Sequence, residues 1–175
     1  MGINKSRFQQ ADTDAFLWVQ RKFCKKTYMP IVRMLSRTGD GWLYAIIAFS
    51  LLGYDYQQHQ NFFYSCLLGF ALEVPLYMIL KNKFKRNRPQ DYLQNFQAKI
   101  NPSDQFSFPS GHTAAAFVMA VQILIFFPAF AILAIAWATM IGFCRILLGV
   151  HFPGDIFAGV MLGVLCSFLA GAIIL

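Results

Sequence analysis

Long apolar runs separated by short polar breaks dominate the chain, and five of them have helical length: 41–54, 61–80, 112–127, 130–148 and 156–175. At about 1.5 Å of rise per residue most of these cross a hydrocarbon core of roughly 30 Å, while the short first and third borrow neighbouring residues. Each run is too continuous for the alternation of a barrel strand, and a helix satisfies its own backbone in lipid, so helices are predicted. The first forty residues follow another pattern. Phe8, Ala11, Ala15, Phe16, Val19 and Phe23 recur near helical spacing, Asp12, Gln20, Arg21, Lys22, Lys25 and Lys26 fill the rest of the turn, and Ile31, Met34 and Leu35 continue beyond Pro30. One or two amphipathic helices are expected there, either lying in the membrane interface or packed on the other spans. The predicted fold is all-α: a polytopic membrane helix bundle of about five transmembrane helices plus amphipathic N-terminal interfacial helices. It forms a single domain over 1–175, with 1–40 interfacial and 41–175 the bundle.

Composition agrees and excludes a soluble protein: 57% of the 175 residues are hydrophobic, 19 are Phe, and only 13% are charged. A net charge of +7 raises the question of nucleic acid. The basic residues, however, alternate with apolar runs instead of lining one exposed face, so no nucleic-acid partner is expected. An anionic lipid surface or a phosphorylated substrate fits them better. Eight of the fifteen Lys and Arg precede the first span, six lie between 81 and 110, and Arg145 ends the fourth span, so five alternating spans put all fifteen on one side. No signal peptide is expected, because the early apolar run at 15–19 is too short and a basic cluster follows it. Cys24, Cys66, Cys144 and Cys166 show neither CxxC nor metal-ligand spacing, so neither a disulfide nor a zinc site is expected.

Chemistry concentrates in three stretches. "KNKFKRNRP" at 81–89 sets Lys81 at a span end and Arg88 seven residues on, with Pro89 fixing the exit. Alone, such a cluster commonly just holds the interface. "FPSGHTAAAF" at 108–117 places Ser110 as a helix N-cap and Gly111 where backbone approaches closely, which leaves free N–H groups suited to an anion. Alone, it is most often a plain capped helix. "CRILLGVHFPGD" at 144–155 sets Arg145, His151 and Asp155 around a Pro153–Gly154 turn, with Asp155 placed to cap the last helix. Asp155 can also take one ring N–H of His151 and leave the other nitrogen free as nucleophile or base.

Together the stretches resemble the three ordered motifs of the type 2 phosphatidic acid phosphatase superfamily: Lys-x6-Arg-Pro, Pro-Ser-Gly-His and Ser-Arg-x5-His-x3-Asp. The resemblance covers about 61–175, and one position departs from the pattern, Cys144 standing where the family usually has Ser. It implies a membrane lipid phosphatase without metal or cofactor. Lys81, Arg88, Arg145, the Ser110 hydroxyl and the Gly111 N–H would bind phosphoryl oxygens; His151, oriented by Asp155, would form a phosphohistidine; His112 would protonate the leaving oxygen and later activate water. Cys144 and Glu73 are supporting candidates. Glu73 is an ionisable residue in mid-span, placed to steady Arg145, to line a polar entry, or to sit protonated or paired within the bundle. Gly159 and Gly163 form a GxxxG expected to pack within the bundle rather than between copies.

Substrates in this class include phosphatidylglycerophosphate, phosphatidic acid and undecaprenyl diphosphate, with membrane lipids as surroundings. The alternatives are a lipid phosphotransferase using the same histidine, and a non-catalytic membrane scaffold or transporter. The expected location is a bacterial inner membrane. The basic residues favour a cytoplasmic active site, whereas many members of the family face outward.

Overall fold

A computed structural model describes residues 7–102 and 104–175, so Lys5 and the rest of 1–6, together with Ser103 of the polar connection, lie outside the described residues. Among those described, the elements are α-helices, short 3₁₀ turns and loops: α1 Arg7–Phe23, α2 Met29–Arg37, α3 Trp42–Tyr54, α4 Tyr56–Phe84, a single turn α5 Pro89–Tyr92, α6 Gly111–Phe126, α7 Ala131–Leu147 and α8 Pro153–Ile174. The all-α bundle expectation holds, with all five apolar runs helical.

Helix limits differ from the expectation in three places. The short first and third runs do not lengthen by borrowing neighbours: α3 and α6 keep to Trp42–Tyr54 and Gly111–Phe126. The polar stretch 55–60 is not a loop: Asp55 ends α3 and at once caps α4, its carboxylate accepting the Gln58 N–H at 3.1 Å. A side-chain acceptor at an N-cap starts a helix regardless of the hydropathy that follows. The expected Pro153–Gly154 turn is instead the first turn of α8, with Pro153 inside the helix start and Asp155 two residues further on. Pro suits that position because its missing N–H has no intrahelical partner there anyway. Asp155 is therefore not the cap residue; its carboxylate reaches back to the Phe152 N–H at 2.8 Å.

The centre of the bundle is α6, enclosed by α4, α7 and α8. Its small residues allow this: Ala114, Ala116 and Ala120 are fully buried, with Val118 and Met119 between them. Gly159 and Gly163 of α8 face it so closely that a Cβ at Gly159 would lie 2.6 Å from the Ser110 carbonyl, and one at Gly163 would collide with the Ala114 carbonyl. The GxxxG thus packs inside the bundle. Gln122 pins three helices together, accepting from Ser65 Oγ of α4 at 2.8 Å and donating to the Ser167 carbonyl of α8 at 3.2 Å. Such interhelical bonds contribute about 1 kcal/mol each in lipid. Large apolar side chains such as Ile132, Phe157 and Ile173 are exposed on the outside of the bundle, as a lipid-facing surface requires.

Of the two open alternatives for the N-terminal helices, one face shows packing on the bundle while the other stays exposed. Phe16, Val19, Met29 and Val32 are buried in one cluster with Leu147, Leu148, Val150 and Phe152 at the α7–α8 corner, while Trp18, Ile31 and Met34 stay exposed. Polar bonds fix the packed face: Gln20 donates to the Ile146 carbonyl at 2.6 Å, and Asp12 accepts the Gly154 N–H at 2.8 Å. Residues 7–40 are therefore joined to the end of the bundle that carries the three motifs.

Candidate active site

His151 follows the α7–α8 corner and is 2% exposed. Its Nδ1–H donates to the Ser107 carbonyl at 2.7 Å. This corrects the expectation for Asp155, whose Oδ2 lies 3.6 Å from that nitrogen, beyond a hydrogen bond. The Asp155 carboxylate is held instead by the Phe152 N–H and by Arg86, whose Nη1 donates to Oδ1 at 2.7 Å. Ser107 is in turn fixed through its own N–H and hydroxyl by the carbonyls of Arg86 and Asn87. With Nδ1 committed, Nε2 is the nitrogen left for chemistry. Burial lowers the imidazole from its ordinary value to about 4, against the pull of Asp155, and Arg145 and Arg88 act in the same direction as burial. At neutral pH the ring is therefore unprotonated, as a nucleophile must be.

Lys81 and Arg88 come from the end of α4 and the start of α5, and both converge on one carboxylate. Lys81 Nζ donates to Asp104 Oδ2 at 2.5 Å, Arg88 Nη2 donates to Oδ1, and Tyr77 Oη donates to Oδ2 at 2.6 Å. Burial alone would raise the Asp104 carboxyl, but these partners hold it well below the usual carboxylate range. Arg88, 2% exposed, also donates through Nη1 to the Val150 carbonyl at 2.7 Å, next to His151. The two cations thus already grip an oxyanion by the geometry that phosphoryl oxygens need.

Arg145 is 5% exposed and donates through Nη1 to Ser36 Oγ at 3.1 Å. Its Nε has no partner, and no carboxylate lies within ion-pair distance of it among the described residues. A buried guanidinium so lightly paired is costly without an anion beside it. His112, in the first turn of α6, lies with Nε2 2.9 Å from Asp40 Oδ1. Gly111 opens α6 against the Tyr77 ring, and Gly111, Tyr77, Lys81, Arg88, Asp104, His112, Arg145 and His151 line one cavity of about 330 Å³. That cavity shares Gly41, Tyr44, Phe70 and Val74 with an apolar groove between α3 and α4.

Three expected participants stand differently. Ser110 is the residue before α6, but its hydroxyl caps no N–H; it accepts from Thr113 Oγ1 at 2.9 Å, and its own N–H donates to the Asp155 carbonyl at 3.0 Å. Cys144 is buried in the apolar cluster under α1 and α2 and does not line the cavity. Packing explains why a thiol suits a position facing that cluster. Glu73 is 3% exposed and lines the cavity, but no hydrogen bond or ion pair joins it to Arg145 among the described residues.

Residues not anticipated are Asp40, Tyr77, Arg86, Asp104 and Ser107. Asp40 and Asp104 had a visible signal, being aspartates in Gly- or Ser-rich loops next to the motifs. Ser107 acts through its carbonyl, which every residue has, so its identity gave none.

A family model described as the PAP2 superfamily matches residues 59–174. An undecaprenyl-diphosphatase of Sulfolobus acidocaldarius is 31% identical over 59% of the chain and 51% of its own length, so the chain spans about half of that relative. The crystal structure of Aquifex aeolicus LpxE superposes with a TM-score of 0.80 at 24% identity, covering 97% of the chain and 98% of LpxE. A transmembrane PAP2-type phosphatidylglycerolphosphate phosphatase from Bacillus subtilis superposes with a TM-score of 0.75 at 25% identity, over 98% and 88%. With three helices among the described residues long and apolar enough to cross a membrane, the chain is an integral membrane protein.

Proposed function

The chain belongs to the PAP2 superfamily, and from that premise we propose that it is a lipid phosphatase acting through a phosphohistidine at His151. The observation that carries the proposal is the company of that residue: an unprotonated imidazole with Nδ1 pinned shares one cavity with Lys81, Arg88, Arg145 and a second histidine. Phosphoryl transfer needs charge stabilisation and alignment more than covalent help, and three guanidinium or ammonium groups supply both. The lipid character of the substrate is supported by the apolar α3–α4 groove that meets the cavity, and by what the similar proteins are named for, a lipid diphosphate and a phosphatidylglycerophosphate.

In the first step the Nε2 lone pair attacks phosphorus, the bond to the leaving oxygen breaks, and His112 gives that oxygen its proton. In the second, water attacks the phosphohistidine, His112 takes the water proton, and the N–P bond breaks to release inorganic phosphate. Lys81, Arg88, Arg145 and the Gly111 N–H hold the phosphoryl oxygens, which displace the Asp104 carboxylate from Lys81 and Arg88. Asp155, whose carboxylate takes the Phe152 N–H and Arg86, fixes the N-terminus of α8 and the loop that carries His151. The catalytic end faces the cytoplasmic side of a bacterial inner membrane, by the distribution of basic residues.

Purified protein in detergent is expected to release phosphate from lipid phosphomonoesters or diphosphates in the presence of EDTA. His151→Ala and His112→Ala each reduce release by about 10²-fold or more. Equal release from wild type and both variants would overturn the proposal, and release only when an acceptor lipid is added would assign transfer in place of hydrolysis.

A further inference from the structure

We infer that Asp40 is the positioning carboxylate of His112, so that a residue outside the matched region 59–174 belongs to the catalytic apparatus. The inference rests on the phosphatase proposal and deepens it.

Asp40 sits in the tight connection between α2 and α3. The connection is built by successive backbone bonds, Thr38 N–H to the Leu35 carbonyl, Gly39 N–H to Ser36 and Asp40 N–H to Arg37, at 3.1–3.2 Å. It is fixed to α7 by Trp137, whose Nε1–H donates to Thr38 Oγ1 at 3.0 Å, and by Gly39, where a Cβ would lie 3.0 Å from Ile141. Gly41 follows with φ of 95°, a backbone conformation that L side chains rarely adopt. The turn therefore has little freedom, and its one carboxylate points at His112. Among the described residues His112 is the only side-chain partner of Asp40. The same segment supplies Ser36 to Arg145, so it supports two groups of the cavity at once.

The chemical need is specific. A carboxylate only accepts, so Nε2 of His112 carries the proton toward Asp40 and Nδ1 becomes the nitrogen that exchanges protons with the leaving oxygen and with water. When His112 takes the water proton it becomes an imidazolium, in a cavity that also holds the Arg145 guanidinium and the Asp104 carboxylate. Of the carboxylates around the cavity, Asp40 is the one in hydrogen-bond contact with the His112 ring among the described residues, so it is the anion placed to offset the new charge, the role a carboxylate plays beside the base of a hydrolytic triad. Because the Asp40 side chain is 45% exposed, its effect is expected to be well below the largest triad values, about 10- to 100-fold in kcat.

The test compares wild type, Asp40→Asn, Asp40→Glu and His112→Asn in detergent, by kinetics and by ring-nitrogen NMR of labelled histidine. Asp40→Asn is expected to lower kcat about 10- to 100-fold with KM changed no more than about twofold, and Asp40→Glu to recover part of the loss. On a nitrophenyl phosphate, whose leaving group needs no proton, Asp40→Asn forms phosphoenzyme near the wild-type rate and loses only the hydrolysis step. In the NMR spectrum the His112 ring loses its fixed Nε2–H tautomer in Asp40→Asn while the His151 signals stay in place. An unchanged His112 tautomer, or a kcat within about twofold of wild type, would overturn the inference. Equal loss of the phosphoenzyme-forming step on alkyl and aryl substrates, with lowered thermal stability, would also overturn it, by showing a folding role. If wild type releases no phosphate from any lipid, the phosphatase proposal falls, and the His112 tautomer still decides whether Asp40 positions the ring.

Discussion

The Nδ1–H of His151, the proposed nucleophile, is donated to the Ser107 carbonyl at 2.7 Å, and Asp155 Oδ2 stands 3.6 Å from the same nitrogen. In the sequence the natural partner of His151 is Asp155, four positions on, yet the ring N–H goes to a backbone carbonyl 44 residues away. A carbonyl acceptor leaves no trace in residue type. Both arrangements free Nε2, but they differ in charge: a neutral acceptor stabilises the imidazolium far less than a carboxylate in contact would. Burial therefore prevails and the imidazole falls to about 4. Its sign can be followed through to activity. Since the folded value lies below the ordinary 6.5, the neutral nucleophile persists as pH drops through 6.5. After correction for ionisation of the substrate phosphate, kcat/KM is expected to hold there and to fall near pH 4. The same shift means that folding stability is full above 6.5 and declines as pH drops from 6.5 toward 4. Activity must accordingly be remeasured at neutral pH after each acid exposure, to separate reversible titration from unfolding. A fall centred near 6.5 would show an imidazole that is not desolvated.

At the scale of helices, periodicity and hydropathy locate every apolar helix, and the differences fall where one local bond overrides a pattern, at the Asp55 cap and Pro153, and in the length expected of α3 and α6. The pairing of helices was legible only through small residues. Gly159 and Gly163 bring α8 against α6, and this packing has a chemical consequence, because the N-terminus of α6 carries Ser110, Gly111 and His112 while that of α8 carries Asp155. The two ends are tied by the Ser110 N–H to the Asp155 carbonyl at 3.0 Å. A Cβ at Gly163 would meet backbone, which cannot rotate away as a side chain could. Gly163→Val is therefore expected to cost about 1–3 kcal/mol and to lower both the unfolding midpoint in detergent and phosphate release. Gly53→Ala on α3, where nothing lies within 4 Å of the added carbon, is expected to change neither. Equal behaviour of the two variants would mean that α6 and α8 are not held in this contact.

The whole molecule is polarised. Arg33, Arg37, Asp40, His112 and Arg145 line one cavity of about 250 Å³ beside the main one, so α2, the α2–α3 turn, α6 and α7 meet at a single end. That end carries the basic residues, whereas the connections at the opposite end, around Asp55 and Pro128, contain no Lys or Arg. Short basic segments resist translocation, so this asymmetry predicts a cytoplasmic catalytic end. Such a placement also limits the substrate: a lipid phosphate presented on the outer leaflet could not reach His151 without first crossing. The four cysteines provide the measurement. All are unpaired, Cys66, Cys144 and Cys166 are buried, and Cys24, at the end of α1 beside the Leu147 carbonyl, is half-buried on the catalytic side. A membrane-impermeant maleimide is expected to leave Cys24 unmodified in intact cells and to label it in inside-out vesicles, while a permeant maleimide labels it in both. Labelling in intact cells by the impermeant reagent would place the motifs outside. The basic residues would then serve anionic headgroups of the outer leaflet, and the substrate pool would change with them.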